Sequence, residues 1–194
     1  MVTVGIDEVG RGPLAGPLVV CACAQEGKIP KEFWNDVGDS KQVNEKKREE
    51  IFQMAHAYKK EGLLRFALAN VTAKEIDRIG MTAATRKGVK EALRKLDIAP
   101  EESDVRLDGL LYAPKEFKKQ RTIIKGDQKE KLIGLASIIA KVARDTYMTR
   151  QARKYPEYGF ERHKGYGTRE HREAIRKHGN SPLHRASFCR NIGT

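Results

Sequence analysis

Residues 7–17 read Asp-Glu-Val-Gly-Arg-Gly-Pro-Leu-Ala-Gly-Pro: two adjacent carboxylates close the apolar run 2–6 and precede a glycine-rich turn that carries one arginine. Acid at a strand tip can hold a divalent cation. Glycines expose backbone N–H groups to an anionic or hydroxyl-bearing ligand beside it. Two later segments repeat the theme, because a short β-type run at 105–107 stops at Asp108-Gly109 and another at 122–124 stops at Lys125-Gly126-Asp127. If Asp7, Glu8, Asp108 and Asp127 converge, four carboxylates repel one another unless cations sit among them. That excess of oxygen ligands suits two metal ions about 4 Å apart along an in-line phosphoryl displacement. Taken singly, each Asp-Gly is ordinary turn chemistry, and only Asp7-Glu8 against an apolar strand is unusual by itself.

Several other chemistries are disfavoured. The chain has no G-x-x-x-x-G-K-[ST] loop, no H-E-x-x-H, no paired C-x-x-C and no nucleophile elbow for a Ser-His-Asp triad. Cys21 and Cys23 share one face of a strand-like run and are expected to be buried apolar thiols, as in a reducing compartment. His163, His171, His178 and His184 fall in a basic segment and are expected at the surface or on phosphate.

The elements that must position the acids follow from periodicity. Runs 2–6 and 16–24 predict an antiparallel strand pair, and 44–60 predicts an amphipathic helix stopped by Gly62, followed by a strand over 63–69. Thr72-Ala-Lys-Glu75 has capping-box spacing and opens a short helix ended by Gly80, with a second helix over 82–96. A long helix over 129–154 is apolar nearly all round in its middle and is expected to be buried against the sheet. A further helix over 168–178 precedes the C-terminus. A hairpin first and strand–helix alternation afterwards predict a mixed α/β sheet with a C-terminal helical appendage rather than a second core.

At 194 residues the chain can bury a real core, and no apolar stretch is long enough to span a bilayer. A cytoplasmic protein without membrane association is expected. The net charge of +12 is unevenly placed: residues 1–114 carry 18 Lys+Arg against 18 Asp+Glu, and residues 115–194 carry 20 against 8. The C-terminal part alone is basic, as a polyanion-binding surface would be.

The ordered series Asp7-Glu-Val-Gly-Arg-Gly12, Leu107-Asp-Gly109, Lys125-Gly-Asp127, Ala136-Ser-Ile-Ile-Ala-Lys-Val-Ala-Arg-Asp145 and His163-Lys-Gly-Tyr-Gly-Thr168 resembles the motifs of ribonuclease HII over nearly the whole chain. The resemblance implies an RNase H-like fold in two parts, a catalytic domain over 1–150 and a C-terminal helical segment over 151–194 lining the substrate groove. It implies cleavage of the RNA strand of RNA/DNA hybrids and incision 5′ of single ribonucleotides in duplex DNA, with two Mg²⁺ or Mn²⁺ ions on Asp7, Glu8, Asp108 and Asp127. Gly10, Arg11 and Gly12 would read the 2′-hydroxyl through the backbone. Tyr166 would pack on the neighbouring deoxyribose, and Lys125, Ser137, Lys141 and Arg144 are candidate phosphate contacts. Asp145, inside the long helix, is read as an ion-pair or packing residue rather than a ligand. Arg11, where the related ribonuclease HIII has threonine, and the position of Asp7 so near the start favour HII over HIII. A monomer is expected. Residues 187–194 show no glutamine-plus-aromatic clamp-binding peptide, so a sliding-clamp partner has no support from the sequence. A non-catalytic hybrid-binding protein, or an RNase H-fold nuclease of other specificity, remains the alternative.

Overall fold

The structure, a computed structural model, describes residues 1–37 and 43–192. The last two residues of the C-terminal segment, and of the stretch read for a clamp peptide, lie outside the described residues.

Five strands form one mixed sheet in the order β3-β2-β1-β4-β5: β1 Val2–Val9, β2 Leu18–Gln25, β3 Leu64–Val71, β4 Ser103–Asp108 and β5 Gln120–Ile123. β1 and β2 are antiparallel, as are β2 and β3, whereas β1, β4 and β5 run parallel. Thus β1 is central, and its C-terminal end lies beside those of β4 and β5. Ile6 pairs with Leu107, which puts Asp7 and Asp108 side by side one step further on. β1 continues past Ile6 because its ladder with β2 runs on to Val9↔Val19, so Asp7 and Glu8 lie within the strand rather than after it.

Both faces of the sheet are covered. On one face, α3 (Ala73–Leu96) buries Ala84, Val89 and Leu93 against Val4, Ile6, Leu18 and Val20. On the other, α2 (Glu45–Lys60) and α5 (Lys131–Ala152) bury Ile51, Leu135, Ile138 and Ile139 against Val19, Cys21 and Cys23. The two thiols are fully buried, as their pattern predicts. A third buried cluster joins Leu14 and Ala15 to Met148, Tyr158, Phe160, Ile175 and Cys189, so the C-terminal segment packs onto the turn after β1 and the end of α5.

Most boundaries match the sequence-based expectation. α3 carries the predicted capping box at Thr72 and Glu75, and its path breaks at Gly80, which adopts φ 77° and ψ 161°. α7 (Arg169–His178) has Thr168 as its N-cap and ends at Gly179. Four short helices had no periodic signal: α1 (Lys31–Asp36), α4 (Gly126–Lys129), α6 (Phe160–His163) and α8 (Ala186–Cys189). Runs of four to six residues complete too little of a helical period to be read.

α5 approaches β1 so closely that only glycine fits at residue 5. A Cβ there would lie 2.4 Å from the Leu132 carbonyl carbon and 2.6 Å from the Ile133 nitrogen, both backbone atoms that cannot move aside. Gly5→Ala is expected to cost about 3 kcal/mol by forcing α5 off the sheet. A urea titration checks this as a lower midpoint at unchanged m-value.

Candidate active site

The aligned ends of β1, β4 and β5 open into a cleft of about 490 Å³ lined by Asp7, Glu8, Val9, Arg48, Asp108, Asp127, Ser137, Lys141 and Tyr166. All four predicted acids therefore share one cavity. β1 supplies Asp7 and Glu8 directly. The β4 end is tied to the following helix because Asp108 Oδ1 accepts the Gly126 N–H at 2.7 Å, which draws Asp127 to the cleft wall. The approach is close at Gly126, where a Cβ would sit 2.8 Å from Ile133 Cδ1 and would require that methyl group to shift. Lys125 adopts a left-handed backbone (φ 56°) to start this turn; its side chain is exposed and is not part of the cleft wall.

The acids are held in an environment hostile to their own charge. Asp7 is buried, with its Oδ1 accepting the Glu8 N–H at 2.7 Å and a side-chain hydrogen bond to Ser137. Burial, then the Glu8 and Asp108 charges, push its carboxyl well above the usual range. Glu8 is also raised, mainly by burial, with Arg11 opposing. Its Oε1 accepts from Arg11 Nη1 at 3.3 Å, while its Oε2 is buried and, among the described residues, meets no hydrogen-bond partner.

A cation would meet both needs, giving the orphaned oxygen a partner and relieving the raised carboxyls. Among the described residues, however, no three His, Cys, Asp or Glu side chains are drawn in tightly enough to cage an ion. An open wall of carboxylates of this kind suits Mg²⁺-type ions, whose remaining positions are filled by water and substrate phosphate.

The predicted substrate contacts separate into two groups. Ser137, Lys141 and Tyr166 do line the cleft, and Lys141 Nζ pairs with Asp145 Oδ2 at 2.6 Å, which gives Asp145 the ion-pair role expected of it. Arg144 is corrected: it is fully buried and is not a phosphate contact. Its guanidinium is spent on backbone carbonyls, with Nε donating to Pro17 O, Nη1 to Lys164 O and Nη2 to Ala15 O, each at 3.0 Å. It also lies 5.8 Å from the Tyr166 ring centroid. An arginine in the apolar middle of a buried helix was the available signal, since such a charge must find internal partners.

Gly10 turns with φ 94°, and a Cβ there would strike Arg144 Nε at 2.5 Å. Arg11 points to solvent except for its Glu8 contact, and Gly12 has open space around it.

One feature went unread in the sequence, and the expectation for the histidines is overturned for three of the four, because the C-terminal cluster packs around them. Arg48 reaches the cleft from α2, although nothing distinguishes it from the neighbouring lysines of that helix. The histidines at 163, 171 and 184 are buried rather than on the surface. His163 and His171 stack with centroids 4.3 Å apart.

The sequence model described as Ribonuclease HII matches residues 4–191. The ribonuclease HII of Clostridioides difficile (strain 630) is 45% identical over 190 residues, which is 97% of this chain and 70% of that protein. Among solved structures, the ribonuclease H2 of Pyrococcus horikoshii OT3 superposes with a TM-score of 0.77 at 28% identity, covering 100% of this chain and 97% of that one. Bst-RNase HIII, solved in complex with Mn²⁺, has the same fold, with a TM-score of 0.74 at 20% identity over 100% of this chain and 68% of its own. No helix among the described residues is long and apolar enough to cross a membrane. With a match spanning almost every residue and a mixed sheet that gathers the matched acids into one cleft, the chain belongs to the ribonuclease HII family, endoribonucleases of the RNase H fold.

Proposed function

We propose that the chain hydrolyses the RNA strand of RNA/DNA hybrids and incises duplex DNA on the 5′ side of a single ribonucleotide, using two divalent cations. One observation carries this reading: Asp7, Glu8, Asp108 and Asp127 line the same cleft as Tyr166 and Lys141, and Arg11 of the Gly10-Arg11-Gly12 turn contacts the Glu8 carboxylate. Acid for metal and groups for sugar and phosphate thus stand together.

Mg²⁺ or Mn²⁺, held by those four acids, would supply charge neutralisation and Lewis acidity at the scissile phosphate. Ser137 holds the Asp7 carboxyl through its hydrogen bond, fixing the orientation of the most buried acid. Lys141 and Arg48 place positive charge on the cleft wall, where the phosphodiester must lie. In-line attack of water on phosphorus breaks the P–O3′ bond, leaving a 3′-hydroxyl on the upstream strand and a 5′-phosphate on the ribonucleotide.

Substrate choice falls to the two recognition elements. The Gly10–Gly12 backbone would meet the 2′-hydroxyl, which is the one group that separates RNA from DNA at a given sugar. Tyr166, 42% exposed, offers a ring face to the adjacent deoxyribose. The basic C-terminal segment would line the groove for the duplex.

A gel assay on a DNA duplex carrying one ribonucleotide tests the proposal. Incision immediately 5′ of that residue with Mg²⁺ or Mn²⁺, none with EDTA and none on the all-DNA duplex, is the expected result. Cutting of all-DNA duplex, or metal-dependent cutting at any other position, would overturn it.

A further inference from the structure

The turn that carries Gly10-Arg11-Gly12 has little regular structure of its own, yet two segments knit it in place. Leu14 and Ala15 donate to Gly165 O at 2.8 and 3.2 Å. Gly16 donates to Leu183 O, and Arg185 N donates back to Leu14 O, both at 2.8 Å, around an antiparallel bridge between Ala15 and His184. The 181–185 strip therefore lies along the turn on one side, and the segment holding Tyr166 lies along it on the other.

Arg185 is fully buried and, among the described residues, pairs with no carboxylate. Its fork spans three carbonyls of the turn: Nη2 donates to Gly10 O at 2.6 Å, Nη1 to Arg11 O at 2.9 Å, and Nε and Nη2 to Gly16 O at 3.1 and 2.9 Å. In a trans peptide the C=O and the following N–H point in opposite directions. Drawing the Gly10 and Arg11 carbonyls inward turns the Arg11 and Gly12 N–H groups outward. Neither of those N–H groups meets an acceptor among the described residues.

The residue before it serves the other element. His184 Nδ1 accepts the Ser181 N–H at 2.9 Å, so its proton is on Nε2, which faces His171 Nε2 at 3.0 Å. His171 must accept there, and its Nδ1–H donates to Tyr166 O at 2.8 Å. Each ring is neutral and in a defined tautomer, so Ser181, His184, His171 and the Tyr166 carbonyl form a single one-way chain of hydrogen bonds.

We infer that His184 and Arg185 are the positioning residues for substrate choice: Arg185 aims the two turn N–H groups at the 2′-hydroxyl, and His184, through His171, sets where Tyr166 stands beside them. One dipeptide thereby fixes the spacing between the two recognition elements. This rests on the proposed reading of the turn as the 2′-hydroxyl contact. Neither residue touches substrate. A lysine at 185 retains the charge but offers one compact ammonium in place of the fork, so it leaves carbonyls unheld.

The test compares Arg185→Lys with the wild-type chain in two measurements: kcat/KM on the single-ribonucleotide duplex, and the Ki of the matching all-DNA duplex as competitor. A positioning role predicts a fall in kcat/KM of about 100-fold, with Ki within about twofold of wild type because phosphate contacts are untouched. A kcat/KM within about threefold of wild type, or parallel losses in kcat/KM and Ki, would overturn the inference. Failure of the wild-type chain to cut the ribonucleotide duplex would instead remove the functional reading beneath it. If circular dichroism shows Arg185→Lys to be unfolded at 25 °C, His184→Gln decides. Its KM is expected to rise about tenfold with kcat and Ki unchanged, and an unchanged KM would overturn the inference.

Discussion

Asp7→Asn is expected to lower kcat on a ribonucleotide-containing duplex by about 10³-fold, about 4 kcal/mol of transition-state stabilisation, while leaving affinity for the duplex near that of wild type. The same substitution should make the metal-free protein more stable. Asp7 is a buried carboxyl whose pKa is raised, by burial first and then by Glu8 and Asp108. For an acid raised in the folded state, the sign is unfavourable at high pH. The cost is absent below the unfolded pKa, grows as pH climbs from there, and is fully felt above the folded pKa. At pH 7 in EDTA the neutral amide escapes that cost and keeps an oxygen to accept the Glu8 N–H. A thermal melt should therefore show a higher Tm for Asp7→Asn than for wild type at pH 7, with the gap closing toward pH 4. Added Mg²⁺ or Mn²⁺ should raise the wild-type Tm more than that of the variant. Full cleavage by Asp7→Asn would remove this carboxylate from the mechanism, and a lower Tm in EDTA would contradict the electrostatic account of the site.

Acid should loosen the C-terminal core through a different pair of groups. Burial lowers both His171 and His184 from 6.5 to about 4, and both rings are almost wholly shielded from water. For a base lowered in the folded state, the neutral form is favoured, so its stability is fully present above about pH 6.5. It is then lost as pH falls toward about 4. The geometry supplies the cause: a second proton on His171 sets two N–H donors against each other across the 3.0 Å Nε2···Nε2 contact, and one on His184 Nδ1 opposes the Ser181 N–H at 2.9 Å. Each histidine is worth up to about 1.4 kcal/mol per pH unit across that window. The raised Asp7 and Glu8 carboxyls act in the opposite direction, since their ionisation cost is relieved by acid. A double variant isolates the histidine contribution. Urea unfolding of His171→Gln/His184→Gln should show a flatter loss of stability between pH 7 and pH 5 than wild type, and equal slopes would rule out the buried pair as the acid-labile element.

The acids and the turn were legible because their chemistry is local. Asp7-Glu8 closes an apolar alternating run, and Gly10-Arg-Gly12 announces a backbone that must bend and be approached closely. Helix starts and stops were legible for the same reason, with the Thr72–Glu75 box and the breaks at Gly80 and Gly179 each decided within one turn of chain. The same arithmetic missed α4, four residues long, although that helix carries Asp127 to the cleft.

Polar residues at depth show the limit most clearly. The sequence displays Arg144 in an apolar helix, His171 and His184 in a basic segment, and Arg185 between them and the C-terminus. Each looks like a candidate for water or phosphate until the fold surrounds it. The carbonyls that satisfy Arg144 come from Ala15, Pro17 and Lys164, and those that satisfy Arg185 come from Gly10, Arg11 and Gly16. All but Lys164 lie more than a hundred positions away, and partners so distant leave no mark in local spacing.

By itself, then, the sequence determined which groups could do the chemistry, which strand tips bear them, and the family to which the motif order belongs. Only the tertiary structure decided that the acids meet, because β1 must pair in parallel with β4 across some hundred residues before Asp7 and Asp108 become neighbours. It alone decided as well that Arg144, His171, His184 and Arg185 face inward, where they hold the 10–17 turn and the 164–166 segment beside it. Burial and partner choice are properties of the packed chain, set by what the intervening elements bring alongside.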